Sequence, residues 1–328
     1  MKRNILIMFG GNSSEHDISI KSYFNIIKHI NKDKYNIKSI YIDLSNNWYL
    51  LKNNKKLESK ELLNNKVIDG IDAVFPIIHG TYGEDGKLQG YLEMLNIPYV
   101  GCNMLASSIC MDKVFCKELI KNIDVLQTNY IYLYKDYDIV NILKEIKKNI
   151  GYPCFIKPSN GGSSIGINKV NNESEVDKYI KEALKYDNKV IIEKEIKGRE
   201  IEIGVIGNDE FIVSSIGEVK TNNFYSYENK YVNNSSTVTI PANINNNLKK
   251  EIENSAKKIY KYLECSGMAR IDFFIEEKTN NIYLNEINTI PGFTDISMFP
   301  LLFKNIGLKY DVLIDKLIDL SLIKGECI

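Results

Sequence analysis

Asp272, Glu286 and Asn288, with Arg270 two residues before the first of them, are the side chains of this 328-residue chain whose types and spacing point most directly to chemistry. They fall in MARIDFFIEEKTNNIYLNEINTIPGFTDISM, from Met268 to Met298, which reads as two strands joined by a turn near Thr279. Alternation puts Arg270 and Asp272 on one face of the first strand and Ile271 and Phe273 on the other, while Glu286 and Asn288 share a face of the second. Antiparallel pairing about the turn sets Asp272 opposite Glu286 and Arg270 opposite Asn288. Two carboxylates directly across a ladder repel, so the patch calls for a cation, and hard oxygen ligands of this kind suit magnesium. The chemistry implied is that of a magnesium-nucleotide site. A solvent-exposed hairpin kept soluble by its charges would leave unexplained the apolar opposite face and the Arg and Asn that flank the acids.

The elements that must hold this hairpin belong to a chain too long for one compact core, which predicts two or three domains. Lys plus Arg and Asp plus Glu number 42 each, so the overall charge gives no reason to expect nucleic acid or a membrane surface as a partner. No apolar run approaches the roughly 20 residues of a spanning helix, and Met1-Lys-Arg-Asn leads into a strand with no secretory pattern, so a cytoplasmic protein is expected. The six cysteines, at 102, 110, 116, 154, 265 and 327, form no CxxC pair and sit mostly among apolar residues. Free buried thiols are expected rather than zinc ligands or disulfides.

Taken in order, NILIMF (Asn4 to Phe9) is a strand ending in Gly10-Gly11. A helical pattern follows through Ile18, Phe24 and Ile27, then a second strand at 35–43, which makes a βαβ unit with parallel pairing. GGNSSEHD lacks the third glycine of a dinucleotide fingerprint. What remains is a helix N-terminus beside Glu15 and His16, fit to orient a small ammonium or carboxylate group, or else a helix capped by Ser13 or Ser14. AVFPII (Ala73 to Ile78) is a third strand; His79 leaves it into a Gly-rich polar loop and is expected to line the cleft. A strand at 97–101 closes a small doubly wound α/β domain, and a single helical pattern runs from Met104 to Ile120 with Lys113 in its middle.

Farther on, the strand carrying Lys157 is followed by SNGGSSIG (159–166) and a second strand. Gly161, Gly162 and Gly166 would let backbone N–H groups approach phosphate oxygens, Ser163 and Ser164 would add hydroxyls, and Lys157 would add charge. A P-loop must open a helix and carries its lysine downstream, so this loop reads instead as a flap over a triphosphate, or as a plain flexible hairpin tip. VIIEKEIKGREIEIGV (190–205) joins two strands through Glu193, Lys194 and Glu200, a connection able to meet an adenine and a ribose but on its own only a charged turn. NNFYSYENKY (222–231), with Lys230 and Tyr231, is an aromatic-rich polar stretch of the kind that closes over sites. An amphipathic helix at 247–263 leads into the first hairpin, and a packing helix at 307–322 ends the chain.

Seven motifs in order, GGNSSEHDIS (10–19), HGTYGEDGKLQG (79–90), MDK (111–113), FIKPSNGGSSIGI (155–167), EKEIKGREIE (193–202), YSYENKY (225–231) and ARIDFF with LNEINTIPGFTDIS (269–297), closely resemble the D-alanine:D-alanine ligases of the ATP-grasp superfamily. The resemblance covers Phe9 to about Leu320. It implies an α/β (α+β) fold: an ATP-grasp fold with an N-terminal Rossmann-like, preATP-grasp, doubly wound domain. The domains expected are 1–101 for the first substrate, 102–188 with the Gly/Ser phosphate loop, and 189–328 with the metal site and lid.

On that resemblance Asp272, Glu286 and Asn288 bind two Mg2+ ions, for which Mn2+ can substitute. Lys113 and Lys157 contact the phosphates of ATP, and the loop with Gly162 and Ser164 covers them. Glu193 and the backbone from Lys194 to Ile196 hold adenine, and Glu200 the ribose. Glu15, in a network with Ser163 and Tyr231, anchors the ammonium of the first D-alanine, with His79 nearby. The γ-phosphoryl group passes to its carboxylate, and the amine of the second D-alanine attacks the acyl phosphate. Arg270 and the Gly292 N–H stabilise the oxyanion, a class of contribution worth about 3 kcal/mol per donor; Lys230 and Ser297 hold the second carboxylate. A homodimer is implied as well.

Related resistance ligases make D-alanyl-D-serine or D-alanyl-D-lactate and commonly carry Tyr where this chain has His16 and Arg where it has Met298. An apolar Met298 beside the second subsite suits a methyl group, which favours D-alanine and hence a role in peptidoglycan precursor synthesis. The chain departs from the family pattern in two places: Glu195 replaces an aromatic near the adenine, and Asp295-Ile296 replaces a small or His-containing pair. The rivals are another ATP-grasp amino-acid ligase, which has no use for Glu15, Tyr231 and Ser297 together; a nicotinamide oxidoreductase, against which the failed fingerprint counts; and a non-catalytic nucleotide-binding protein, which has no need of Arg270 beside both acids.

Overall fold

The computed structural model describes residues 1–52, 55–58, 68–221 and 236–325. Lys230 and Tyr231 lie outside the described residues. Three sheets organise the rest.

In the first, β1 (Arg3–Gly10) runs parallel to β2 (Tyr35–Ile42) and β5 (Ala73–Pro76), and the antiparallel β3 (Trp48–Lys52) and β4 (Lys55–Glu58) extend it in the order β4-β3-β2-β1-β5. The unbroken apolar run of β1 follows from cover on both faces. Ile5, Ile7 and Phe9 pack on α1 (His16–His29) and on the C-terminal helix (Tyr310–Gly325), while Leu6 and Met8 pack toward α2 (Lys87–Met94). The predicted strand at 97–101 reduces to one parallel bridge between Tyr99 and Val74.

The second sheet, in the order β7-β10-β8-β9, is antiparallel: β7 (Tyr130–Tyr134), β10 (Lys189–Lys194), β8 (Cys154–Pro158) and β9 (Asn168–Val170). Cys154, Ile156, Val190 and Ile192 face α5 (Ile139–Glu145) and α6 (Val176–Ala183); alternation therefore turns Phe155, Lys157 and Glu193 to the opposite face. Because β10 pairs with β7 and β8, this sheet extends to residue 194, past the boundary expected at 188.

The third sheet has the order β13-β12-β11-β14-β15-β6: β6 (Leu126–Gln127), β11 (Gly198–Gly207), β12 (Phe211–Thr221), β13 (Ser236–Thr239), β14 (Gly267–Glu276) and β15 (Ile282–Asn288). Ile201, Ile203, Ile271 and Phe273 bury one face against α3 (Met104–Met111), α4 (Lys113–Ile120) and α7 (Asn246–Tyr262). Part of the other face is covered by α8 (Met298–Asn305), which lies so close to β11 that a Cβ on Gly204 would stand 2.6 Å from a Phe303 ring carbon; glycine is what permits the approach. The C-terminal helix is α9. The single helix expected over 104–120 is two, because Asp112 adopts an extended conformation (φ −86°, ψ 102°) that ends α3, and its carboxylate caps α4 through the N–H groups of Val114 and Phe115. No helix among the described residues is long and apolar enough to cross a membrane.

Candidate active site

The hairpin β14–β15 has the predicted register, Asp272 opposite Glu286 and Arg270 opposite Asn288, with a bulge immediately beyond Asp272. On its other side Asp272 pairs with Glu202 of β11, so three acids stand in one row across adjacent strands. Arg270 offsets them. Its Nε donates to Asp272 Oδ1 at 2.8 Å and its Nη2 to Oδ2 at 2.7 Å, and Nε lies 2.9 Å from Glu202 Oε2. Burial alone would lower the guanidinium pKa; Asp272 and Glu202 overcome it and hold the group charged. The cation that the facing carboxylates call for is thus, for Asp272, supplied in part by the protein itself.

The residues present nevertheless fit magnesium. Asn288 Nδ2 donates to Asp272 Oδ2 at 3.0 Å, which leaves the amide oxygen of Asn288 as a ligand and Asp272 Oδ1 with the more open lone pair. Among the described residues no cluster of three or more His, Cys, Asp or Glu side chains forms a protein-only cage. Two carboxylates and one amide suit an ion that keeps water and phosphate oxygens in its shell.

Glu286 and Asp272 form one wall of a cavity of about 560 Å3 between the second and third sheets, with Lys157, Glu193 and Phe155 on the facing wall and Glu200 and Phe274 beside the acids. The loop after β8 borders it. Ser163 and Ser164 in that loop take left-handed conformations (φ 55° and 59°), which costs order of 1 kcal/mol each and marks a loop shaped for more than connection. The Ser163 hydroxyl is buried with no hydrogen-bond partner among the described residues. Lys113 Nζ donates to Gly161 O at 2.7 Å, and burial lowers its pKa.

The root of the loop is tied to α4 through Asp112. Its carboxylate accepts from Lys189 Nζ at 2.5 Å and from Ser159 Oγ at 2.6 Å, while Lys113 N donates to Ser159 O at 3.0 Å. Deeper in the cavity, Glu193 is 4% exposed and lies between two ammonium groups, Lys117 at 2.7 Å and Lys157 at 2.6 Å. Burial would raise its pKa, but the two lysines overcome that and hold it at about 2. Lys194 lines the cavity with its backbone already engaged, its N–H by Asn129 O and its carbonyl by the Thr128 hydroxyl. Ile196 lines the same wall.

Glu15, at the start of α1, meets this region from the first sheet: a Cβ on Gly162 would lie 3.1 Å from Glu15 Oε2, and one on Gly80 3.3 Å. Glu15, Glu84, Lys113, Ser163, Glu286 and Asn288 enclose a smaller cavity of about 50 Å3. Glu84 accepts from Gly80 N at 2.7 Å and from Ile290 N at 3.0 Å, and burial together with Glu15 pushes its pKa up to about 8.

His79 differs from the expectation. It is 3% exposed, with Nδ1 at 2.8 Å from Ile290 O and Nε2 at 3.3 Å from Ser22 Oγ, so it braces the strand end from behind and Glu84 occupies the wall. Gly292 and Ser297 are adjacent, a Cβ on Gly292 falling 2.9 Å from Ser297 Oγ, and that hydroxyl also accepts from Thr294 N at 2.9 Å at the start of α8. Met298, expected beside the second substrate, is 7% exposed and packs against Gly217, Val219 and Leu302.

Glu84, Glu202, Lys117 and Asp112 are the site residues that sequence reasoning passed over. Glu202 was within reach, since it alternates with Glu200 in REIEI. Lys117 was not, because nothing local pairs it with residue 193.

Comparison with known proteins shows the family. The family model described as D-ala D-ala ligase N-terminus matches residues 4–102, and that described as D-ala D-ala ligase C-terminus matches 119–319. A D-alanine-D-alanine ligase of Caldicellulosiruptor bescii is 42% identical, over 99% of this chain and 96% of its own. The crystal structure of VanG D-Ala:D-Ser ligase from Enterococcus faecalis superposes with a TM-score of 0.86 at 36% identity, covering 98% of this chain and 100% of that one. The D-alanine-D-alanine ligase from Coxiella burnetii gives 0.86 at 33%, over 99% and 95%. With both halves matched in order, and an ATP-grasp cavity whose acids, lysines and glycine loop come from the second and third sheets and the helix that begins at Lys113, this chain belongs to the D-alanine:D-alanine ligase family.

Proposed function

We propose that this chain uses ATP to join two D-alanines into D-alanyl-D-alanine for peptidoglycan precursors. The observation that carries the reading is convergence: Glu15 at the start of α1, Lys113, Lys157 and the Ser163 loop, and Asp272, Glu286 and Asn288 all border two cavities that share Lys113, Ser163 and Glu286. Glu15 would take the ammonium of the first D-alanine, with Ser163 and Tyr231 completing that contact, and so set its carboxylate toward the γ-phosphate. Lys113, Lys157, Gly162 and Ser164 would hold the phosphates, Glu193 with the 194–196 backbone the adenine, and Glu200 the ribose. Magnesium, as two ions held by Asp272, Glu286 and Asn288, or manganese in its place, would neutralise phosphate charge.

The acyl phosphate formed on the first D-alanine is a better electrophile than its carboxylate, and the second amine displaces phosphate from it. Arg270 spends Nε and Nη2 on carboxylates, so its remaining nitrogen and the Gly292 N–H would meet the oxyanion. Ser297 at the start of α8, with Lys230, would hold the second carboxylate. The three sheets support a domain division near 101 and again past β10, a homodimer is the assembly we infer, and the demand for ATP supports a cytoplasmic reaction, where the buried thiols among the described residues would stay reduced.

Mass detection of D-alanyl-D-alanine and ADP from ATP with D-alanine alone is the expected result. Product only when D-serine or D-lactate is supplied would move the assignment to the corresponding resistance-type ligase. Phosphate release with some other amino acid and none with D-alanine would refute it.

A further inference from the structure

The nucleotide cavity holds a carboxylate whose chemistry the reading above does not use. Glu195 follows β10 two residues after Glu193 and lines the cavity with Thr128, Phe155 and Lys169. Its side chain is 13% exposed. Lys169 of β9 reaches across β8 to place Nζ 2.6 Å from Glu195 Oε1. The other oxygen, Oε2, is buried and has no hydrogen-bond partner among the described residues. A buried carboxylate oxygen without a donor is costly, and on a residue that lines a ligand cavity it is a place for a ligand N–H or O–H.

Its neighbours already have one protein partner per oxygen. Each Glu193 oxygen holds a lysine ammonium, and the Lys194 carbonyl holds the Thr128 hydroxyl. Phe155 from the second sheet and Phe274 from the third offer flat apolar surfaces in the same cavity, suited to the faces of a purine. A base between those sheets would bring its edge to the 193–196 segment, where Glu195 Oε2 is a buried acceptor with no donor among the described residues.

We propose that Glu195, steadied by Lys169, is a base-specificity residue that accepts a hydrogen bond from the exocyclic amino group of adenine and disfavours a purine with a carbonyl at that position. It rests on reading the cavity as the nucleotide site. The carboxylate repels a 6-oxo group and attracts a 6-amino group, so discrimination follows from charge as well as shape. Lys169 consumes only one oxygen, which keeps the other aimed and lowers the cost of burying the charge.

The test uses full-length protein with magnesium and the β,γ-imido analogues of ATP, ITP and 2′-deoxy-ATP, measured by calorimetry without D-alanine. Glu195→Ala should weaken the adenine analogue by about tenfold or more, the loss expected for one hydrogen bond to a charged acceptor, and should tighten the inosine analogue, because the repulsion of its 6-oxo group is removed. Glu195→Gln, which keeps an acceptor oxygen, should recover most of the adenine preference, and Lys169→Met, which removes the ammonium that steadies Glu195, should reduce it by less than Glu195→Ala does. Equal weakening of adenine and inosine analogues in Glu195→Ala, or in Glu195→Gln should the alanine variant not fold, would overturn the proposal. So would a loss that tracks the 2′-hydroxyl instead of the amino group. Because the readout needs no ligation, a wild-type protein that prefers adenine but makes no D-alanyl-D-alanine would overturn the ligase reading and leave this one standing.

Discussion

Replacing Lys117 by Met should destabilise the folded protein by about 3 kcal/mol at pH 7, although Lys117 touches no expected substrate. Lys117 and Glu193 are 3% and 4% exposed, and the substitution keeps the side chain's length while removing the ammonium 2.7 Å from Glu193 Oε1. Glu193 is held at about 2 against an ordinary value of 4.5, a difference worth about 3 kcal/mol at roughly 1.4 kcal/mol per pH unit. Removing one partner of a buried ion pair costs a similar amount, about 3 to 5 kcal/mol, and the surviving Lys157 argues for the lower end.

The pH dependence has a definite sign. A carboxylate depressed by folding contributes stability above about pH 4.5 and loses it as the pH falls toward 2. With Lys117 gone, burial acts against a single ammonium and the carboxylate pKa rises, so less of that stability remains to be lost. Urea unfolding followed by circular dichroism at pH 7.5, 5.5 and 4.5 should therefore show the gap between wild type and variant narrowing as the pH falls. The double variant Lys117→Met with Glu193→Gln should recover a large part of the loss, because a neutral amide needs no second ammonium. A loss below about 1 kcal/mol at pH 7, or a gap that widens on acidification, would refute the reasoning.

Asp112→Ala should lower stability by about 3 kcal/mol, since it removes a helix cap and leaves Lys189 buried without its carboxylate; in steady-state kinetics it should raise KM for ATP far more than KM for D-alanine, because the root of the phosphate loop is what it frees. Asp272→Asn should cut kcat by about 100-fold or more and raise the magnesium concentration needed for half-maximal rate, with retention of full activity counting against the metal assignment. Glu84 is raised to about 8 from 4.5, so the folded state holds a proton that the unfolded chain has released and stability attributable to this group falls as the pH rises through that window. Urea midpoints of Glu84→Gln between pH 5 and 8 should decline less than those of wild type, and parallel curves would argue against the assignment.

The hairpin that carries Arg270, Asp272, Glu286 and Asn288 was legible in the chain because period-two alternation and one turn specify both faces and the register, all within about thirty residues. The same holds for β1, whose unbroken apolar run announces a strand buried on both faces, and for the glycine loop that joins β8 to β9. The helix over 104–120 was misjudged for a physical reason: apolar spacing continues through Asp112, yet its carboxylate gains more from capping α4 and from Ser159 and Lys189 than from staying helical. His79 was misplaced because a strand end and a Gly-rich loop fix a residue's neighbourhood without fixing which way its ring turns; here Ile290 O and Ser22 draw it behind the wall.

The sequence alone determined the fold class, the family, the facing acids of the β14–β15 hairpin and the glycine loop after β8, since each is written in local periodicity or in contiguous motifs. Only the tertiary structure decided which charges meet: that Arg270 neutralises both Asp272 and Glu202, that Lys117 and Lys157 share Glu193, that Glu84 sits against Glu15, and that Lys169 holds one oxygen of Glu195. Each pairing joins different segments of the chain, and its strength depends on burial and on distances within hydrogen-bond reach, quantities that a linear pattern does not contain until the three sheets are packed together.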